Sequence, residues 1–133
     1  MSKLITLDTP RNPIIQINQE TNRDVPQAWE HKWNWYYNWL GAVKEAKHRG
    51  LHLPSDAELY NLEDELLNLN QFSGFRYTSG SFLGLGSNGG WWSITESGNS
   101  AWGRGLSSRD STVYRFTNNK GFGFSVVCTK KTL

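Results

Sequence analysis

The stretch "GGWWSITESGNSAWGRGLSSRDSTVYRFTNNKGFGFSVVC", residues 89–128, decides how this chain is read. Bulky aromatics are interleaved there with Ser, Gly, Asn, Thr, Arg and Asp, and no helical period runs through it. Short strands between Gly, Ser and Asn turns account for the pattern. They are "GWWSI" (90–94), "AWGRGL" (101–106), "TVYRF" (112–116) and "GFSVVCT" (123–129), preceded by "GFRYT" (74–78). In the last of them Phe124, Val126 and Cys128 share one face, and Ser125, Val127 and Thr129 the other. "TNNKG" (117–121) reads as a hairpin turn joining the last two strands. Trp91, Trp92 and Trp102 are assigned to the core. A strand pair built only for stability favours β-branched residues. "GLSSRDST" and "YRFTNN" instead carry the palette of an adaptable recognition surface, in which aromatics anchor, Ser and Asn hydrogen-bond and Arg makes forked contacts.

Upstream the pattern changes. Eleven of the 13 Gly lie between Gly74 and Gly123, and the chain before residue 70 has helical spacing. Asp24, Pro26 and Gln27 resemble a capped helix start. Trp29, Trp33, Tyr36, Leu40 and Val43 then recur at helical intervals, widened by Trp35, Trp39, Ala42 and Ala46. Lys44, Lys47, His48 and Arg49 favour the negative end of the helix dipole, Gly50 is the expected stop, and Gly41 is a candidate kink. A second helix is expected from the "PSDAE" capping box, with Ser55 as cap and Glu58 reaching back. Leu59, Leu62, Leu66 and Leu69 fall on one face, with an end near Asn68 to Asn70. The fold class is therefore α+β, two helices packed on a twisted antiparallel sheet. It is read as one domain over 1–133, with a helical half at about 24–70 and a strand and loop half at about 72–133.

The chain has 133 residues, 37 % hydrophobic and 20 % charged, with a net charge of +2, a balance too mild to indicate nucleic acid or lipid as partner. A single cysteine, Cys128, excludes an intrachain disulfide, and its apolar setting points to a buried, unreactive thiol. No segment approaches the roughly 20 apolar residues of a membrane span. "MSKLITLDTPRNPIIQ" contains no signal-peptide core, so synthesis in the cytoplasm without membrane insertion is expected. Catalytic constellations are scarce. His31 and His48 are too far apart on the expected first helix to share a site, and His52 lies between helices. "GLGSNGG" lacks the lysine and the following helix of a phosphate cradle, and no zinc or redox motif occurs. Asp56, Glu58, Glu63, Asp64 and Glu65 read as a solvated, capping face. No cofactor, metal site or catalytic residue is expected.

"LHLPSDAELYNLE", "GFRYTSGSFLGLGSNGGWWSITES" and "NSAWGRGLSSRDSTVYRFTNNKGFGFSVVC" together resemble the Fibrobacter succinogenes major paralogous domain. They are also similar to the variable proteins of diversity-generating retroelements, over roughly residues 33–129. The resemblance implies a C-type-lectin-like fold with an exposed sheet and loop face for ligand. It also implies adenine-directed diversification of selected codons in the C-terminal half. Carried onto this sequence, Trp91, Trp92, Ala101, Trp102, Arg104, Leu106, Val113, Arg115, Gly123, Phe124, Val126 and Cys128 would be scaffold. The ligand-facing set would be Gly103, Gly105, Ser107, Ser108, Arg109, Asp110, Thr112, Tyr114, Phe116, Thr117 and Phe122, with Tyr77, Ser87 and Asn88 as weaker members.

The calcium-dependent sugar motifs of lectins, Glu-Pro-Asn and Trp-Asn-Asp, are absent. The cysteine pair of the related formylglycine-generating enzymes is absent too, which leaves that oxidoreductase activity a remote alternative. The expected function is non-enzymatic binding of a protein or glycan on a target surface, by a chain assembled with virion or surface proteins. A fixed-specificity surface module of the same fold is the alternative.

Overall fold

The computed structural model describes residues 4–8, 13–17, 28–32 and 34–129, the first two segments by backbone alone. Along these residues run β1 (Leu4–Asp8), β2 (Pro13–Ile17), β3 (Ala28–His31), β4 (Asn34–Tyr37), α1 (Trp39–His48), α2 (Asp56–Asn61), α3 (Glu63–Leu69), β5 (Ser73–Arg76), β6 (Phe82–Leu85), β7 (Asn88–Ser97), β8 (Ser100–Ser107), β9 (Thr112–Asn119) and β10 (Val126–Thr129). The described residues thus form an α+β arrangement, with three helices and open antiparallel sheets in the orders β1-β2-β10, β3-β4, β5-β6 and β7-β8-β9. None of the described helices is long and apolar enough to cross a membrane.

The first expected helix is half strand. Residues 28–37 form a hairpin in which Trp29 pairs with Tyr36 and Glu30 with Trp35, and Lys32 in its turn has a left-handed φ of 49°. Aromatic side chains fit a pleated surface well and lose χ1 freedom in a helix, so a Trp-rich segment settles as strand when a partner strand is near. The helix starts only at Trp39. Asn38 caps it, its Oδ1 accepting from Gly41 N at 2.8 Å, which places Gly41 in the first turn rather than at a kink. Gly50, with φ 71°, terminates it as expected. Asp24, Pro26, Gln27 and Trp33 lie outside the described residues.

The second helix starts as its sequence dictates. Ser55 Oγ accepts from Glu58 N at 3.0 Å and Glu58 Oε1 from Ser55 N at 2.8 Å. Leu62, with φ −107° and ψ 9°, divides this helix into α2 and α3, and Asn70 closes it in the left-handed region at φ 49°. Leu59, Leu62 and Leu66 are buried on the expected face.

Two apolar clusters hold these elements together. Leu59 and Leu66 of the helices pack with Trp91, Leu106 and Val127. Tyr37, Ala42, Ala46, Leu53, Trp92, Ala101, Phe124, Val126 and Cys128 form the other. The alternation expected of the last strand is therefore real: Val126 and Cys128 enter one cluster and Val127 the other. Burial pushes the Cys128 thiol up to about 12, which leaves it protonated at neutral pH.

The expected hairpin between the last two strands does not form. Asn119 does make a turn, with Phe122 N donating to Asn119 O at 3.0 Å and Gly121 N to Asn119 Oδ1 at 2.8 Å. The chain beyond it never returns along β9. Residues 123–125 instead bridge to Arg76, Tyr37 and Trp91 in turn, and β10 then pairs with β2, Val126 opposite Ile17 and Cys128 opposite Ile15. β9 is left as an edge of the three-stranded sheet.

Candidate ligand-binding surface

Strand parity divides the β7-β8-β9 sheet into two chemically different faces. On one, Trp91 stands opposite Arg104 and Arg104 opposite Arg115, with Leu106 opposite Val113. This face meets α2 and α3. Arg104, only 1 % exposed, donates from Nη1 to Asp56 Oδ1 at 2.6 Å and from Nε to Glu63 Oε2 at 2.9 Å. Arg115 donates from Nη2 to Asp56 Oδ2 at 2.7 Å while its guanidinium lies 3.5 Å from the Trp102 ring centroid. Asp56 and Glu63 are therefore partners of a buried arginine, not part of a solvated face. The hydrogen bond from Arg115, aided by Arg104, holds the Asp56 carboxyl below its ordinary value against the opposing effect of burial.

The other face carries Ser107, Gly105 and Gly103 of β8 opposite Thr112, Tyr114 and Phe116 of β9. Its aromatic rings border an open groove of about 260 Å³, lined by Phe75, Tyr77, Asn88, Gly89, Tyr114, Phe116, Asn118, Phe122 and Phe124. A second hollow of about 320 Å³ is lined by Ser87, Asn88, Ser107, Ser108 and Arg109, so Asn88 borders both. The β8–β9 turn is tied down where it meets this hollow: Ser108 N donates to Ser87 O at 2.9 Å and Arg109 N to Ser107 Oγ at 3.2 Å. Ser111 supplies the left-handed turn residue at φ 52°.

Most of the residues singled out by sequence converge here. Tyr114, Phe116 and Phe122 line the groove with Tyr77 and Asn88, and Ser107, Ser108 and Arg109 line the hollow with Ser87 and Asn88. Thr112 shares the face at its edge, and Asp110 is exposed in the turn without lining either depression. Thr117 sits opposite Trp102, on the reverse face. Gly103 and Gly105 are buried beneath rings rather than presented. A Cβ on Gly105 would meet the Tyr114 ring; one on Gly103 would meet Phe116 and, at 2.5 Å, the carbonyl oxygen of Trp91. The glycines let the aromatic side chains lie flat on the sheet.

That difference has a measurable outcome. Gly105→Ala displaces only a half-exposed ring and should cost less than about 1 kcal/mol, whereas Gly103→Ala pushes on backbone and should cost toward the upper end of about 1–3 kcal/mol. Thermal unfolding of the two variants separates them, and equal losses would refute the distinction.

Phe75 and Asn118 were missed by sequence reasoning, whereas Phe124, assigned to the scaffold, is a buried core residue that also lines the groove. Asn118 shares parity with Tyr114 and Phe116, and Phe75 with Tyr77, so alternation could have found both. Phe124 lies just beyond the Asn119 turn, pairs with Tyr37, and packs 5.0 Å from Phe116 between ring centroids.

The described residues contain no group of three or more His, Cys, Asp or Glu able to hold a metal. His52 Nε2 lies 2.5 Å from Thr129 Oγ1 and 3.7 Å from Glu58 Oε2. Both contacts use the same ring nitrogen and Thr129 is buried, so this cluster lacks the arrangement in which an acid orients one nitrogen while the other activates a hydroxyl. His31 stacks on Phe82 at 4.2 Å. What the site can do chemically is offer aromatic faces, carboxamides, hydroxyls and one guanidinium. Compared with family models, curated proteins and solved structures, the chain matches none of them.

Proposed function

We propose that this chain is a non-enzymatic ligand-binding protein of C-type-lectin-like fold. In this reading it is a variable protein of a diversity-generating retroelement, displayed on a phage, archaeal virus or cell surface. The observation that carries the reading is the division of labour between the two faces of one strand pair. Arg104, Leu106 and Val113, three of the scaffold set of the resemblance, face the helices, while Ser107, Tyr114 and Phe116, of the ligand-facing set, line the open depressions. A half-exposed Tyr114, 44 % accessible, and the neighbouring Tyr77, 40 %, are what a recognition surface keeps in water for a partner.

Sequencing the DNA that flanks the gene tests this. A near-copy of its 3′ end beside a reverse-transcriptase gene is expected, differing mainly at adenines in the codons for Ser107, Arg109, Tyr114, Phe116 and Phe122. Codons for Arg104, Leu106 and Val113 should match. Without such a copy the diversified reading fails, and a fixed-specificity module with the same face takes its place.

A further inference from the structure

The geometry points to the chemical class of ligand: a protein partner that inserts one large apolar or aromatic side chain into the Phe75–Phe122 groove and lays a carboxylate beside Arg109. The inference rests on the binding reading above and names what that surface selects.

Size is the first argument. At about 260 Å³ the groove falls below the roughly 300–1,000 Å³ of clefts that engulf a drug-sized molecule. It suits a single side chain presented by something larger. Its walls explain which kind: Phe75 and Phe122 stack at 6.4 Å and 17°, Tyr77 meets Phe122 edge-on at 5.2 Å, and no charged side chain lines the groove. An apolar or aromatic side chain finds both ring edges and ring faces to pack on there.

Extent is the second. The apolar surface continues past the groove onto β6, where Leu83 and Leu85, 43 % and 49 % exposed, stand opposite Phe75 and Ser73. A small ligand could not cover both the groove and this flank; a protein surface can.

Charge is the third. Arg109 is the one charged side chain lining either depression, and its guanidinium makes no ion pair among the described residues. Asn88 borders both, so the carboxylate and the inserted side chain belong to neighbouring parts of one partner segment. A guanidinium in the polar hollow that adjoins an apolar groove selects an acidic neighbour to the anchor.

A display library of disulfide-closed random peptide loops, selected on the purified protein, tests the assignment. Enriched loops should carry Trp, Tyr, Phe or Leu near Asp or Glu. Their affinity should fall at least about tenfold on Tyr114→Ser or Tyr77→Ser, and on Arg109→Glu. Re-selection on Arg109→Glu should exchange the acidic residue for Lys or Arg. All three substituted side chains are exposed, and unchanged thermal midpoints verify that the variants are folded. Loops that need Tyr114 but carry no acidic residue, or ignore Arg109→Glu, overturn the inference and leave the binding face standing. Loops indifferent to both tyrosines, or no enrichment at all, overturn the binding face as well. Tyr114-dependent capture of a glycan on an array, with no loop enriched, overturns the assignment to a protein.

Discussion

Arg104→Ala will lower the stability of this protein by about 3–5 kcal/mol, read from its urea unfolding midpoint. The side chain is 1 % exposed and is the hub through which the β8 strand grips the first residue of each helix, Asp56 of α2 and Glu63 of α3. Truncating it strands the Glu63 carboxylate, takes one of two arginines from Asp56 and opens a cavity against Trp91 and Leu106. Arg104→Met fills that space and should recover part of the loss, since an apolar replacement removes the desolvation cost of the cation while leaving Asp56 its second partner, Arg115. The same hub sets the acid response. Asp56 titrates below its unfolded value, so its contribution is present above about pH 4 and disappears as the pH falls through the lower folded value. Asp56→Asn should therefore flatten the decline of stability below about pH 4. A loss under about 1 kcal/mol for Arg104→Ala would show that the helices are held to the sheet by apolar packing alone.

Trp92→Ala is expected to cost a similar amount, about 3–5 kcal/mol, for a different reason. Its ring is fully buried and meets Phe124 edge-on at 4.9 Å, while its Nε1 donates to Tyr37 O at 2.9 Å. One residue thus joins the β3–β4 hairpin, the sheet and the final segment. Trp92→Phe keeps a ring but loses the hydrogen bond, and should cost roughly 1–3 kcal/mol. Trp91 is an internal control. It is equally buried, yet its Nε1 finds no acceptor among the described residues, so Trp91→Phe forfeits packing without forfeiting a bond. Calorimetric unfolding should rank Trp92→Ala below Trp92→Phe, and both below Trp91→Phe. A reversed order of the two Phe variants would mean that ring volume outweighs the bond to Tyr37.

Local chemistry was the legible part of this molecule. The Ser55–Glu58 capping box, the Asn70 terminus and the Gly50 stop all follow from residues within a few positions of one another. Strand alternation was legible in the last strand, where Val126 and Cys128 share one face and Val127 takes the other; the ligand-facing set followed the resemblance instead, and its Thr117 departs from the parity that Tyr114 and Phe116 share. The segment from Trp29 to Val43 misled because intervals of three and four fit a helix and also fit a hairpin followed by a helix. What settled it was the turn at Lys32 and the Asn38 cap, both weaker in sequence than the four tryptophans of this segment. The fate of the last strand was illegible for another reason. Its partner, β2, is more than a hundred residues away in the chain, and a turn at Asn119 says nothing of where the chain goes afterwards. The groove itself required Phe75 of β5 to be brought against Phe116 of β9 and Phe124 just beyond it.

The path of residues 123–129 has a consequence for how the protein comes into being. This short segment is stitched to Arg76, Tyr37, Trp91 and His52 and then closes against Ile14–Ile17. During synthesis these contacts remain open until the segment leaves the ribosome, so the preceding helices and hairpins emerge as separately collapsing pieces with exposed aromatic surface. Pairing between the two extremes of the described chain carries the largest loop-closure cost, which favours slow, late locking. Nascent chains that have emerged only as far as Phe122 should consequently be protease-sensitive throughout, and the further extension that brings Thr129 out of the ribosome should protect them in a single step.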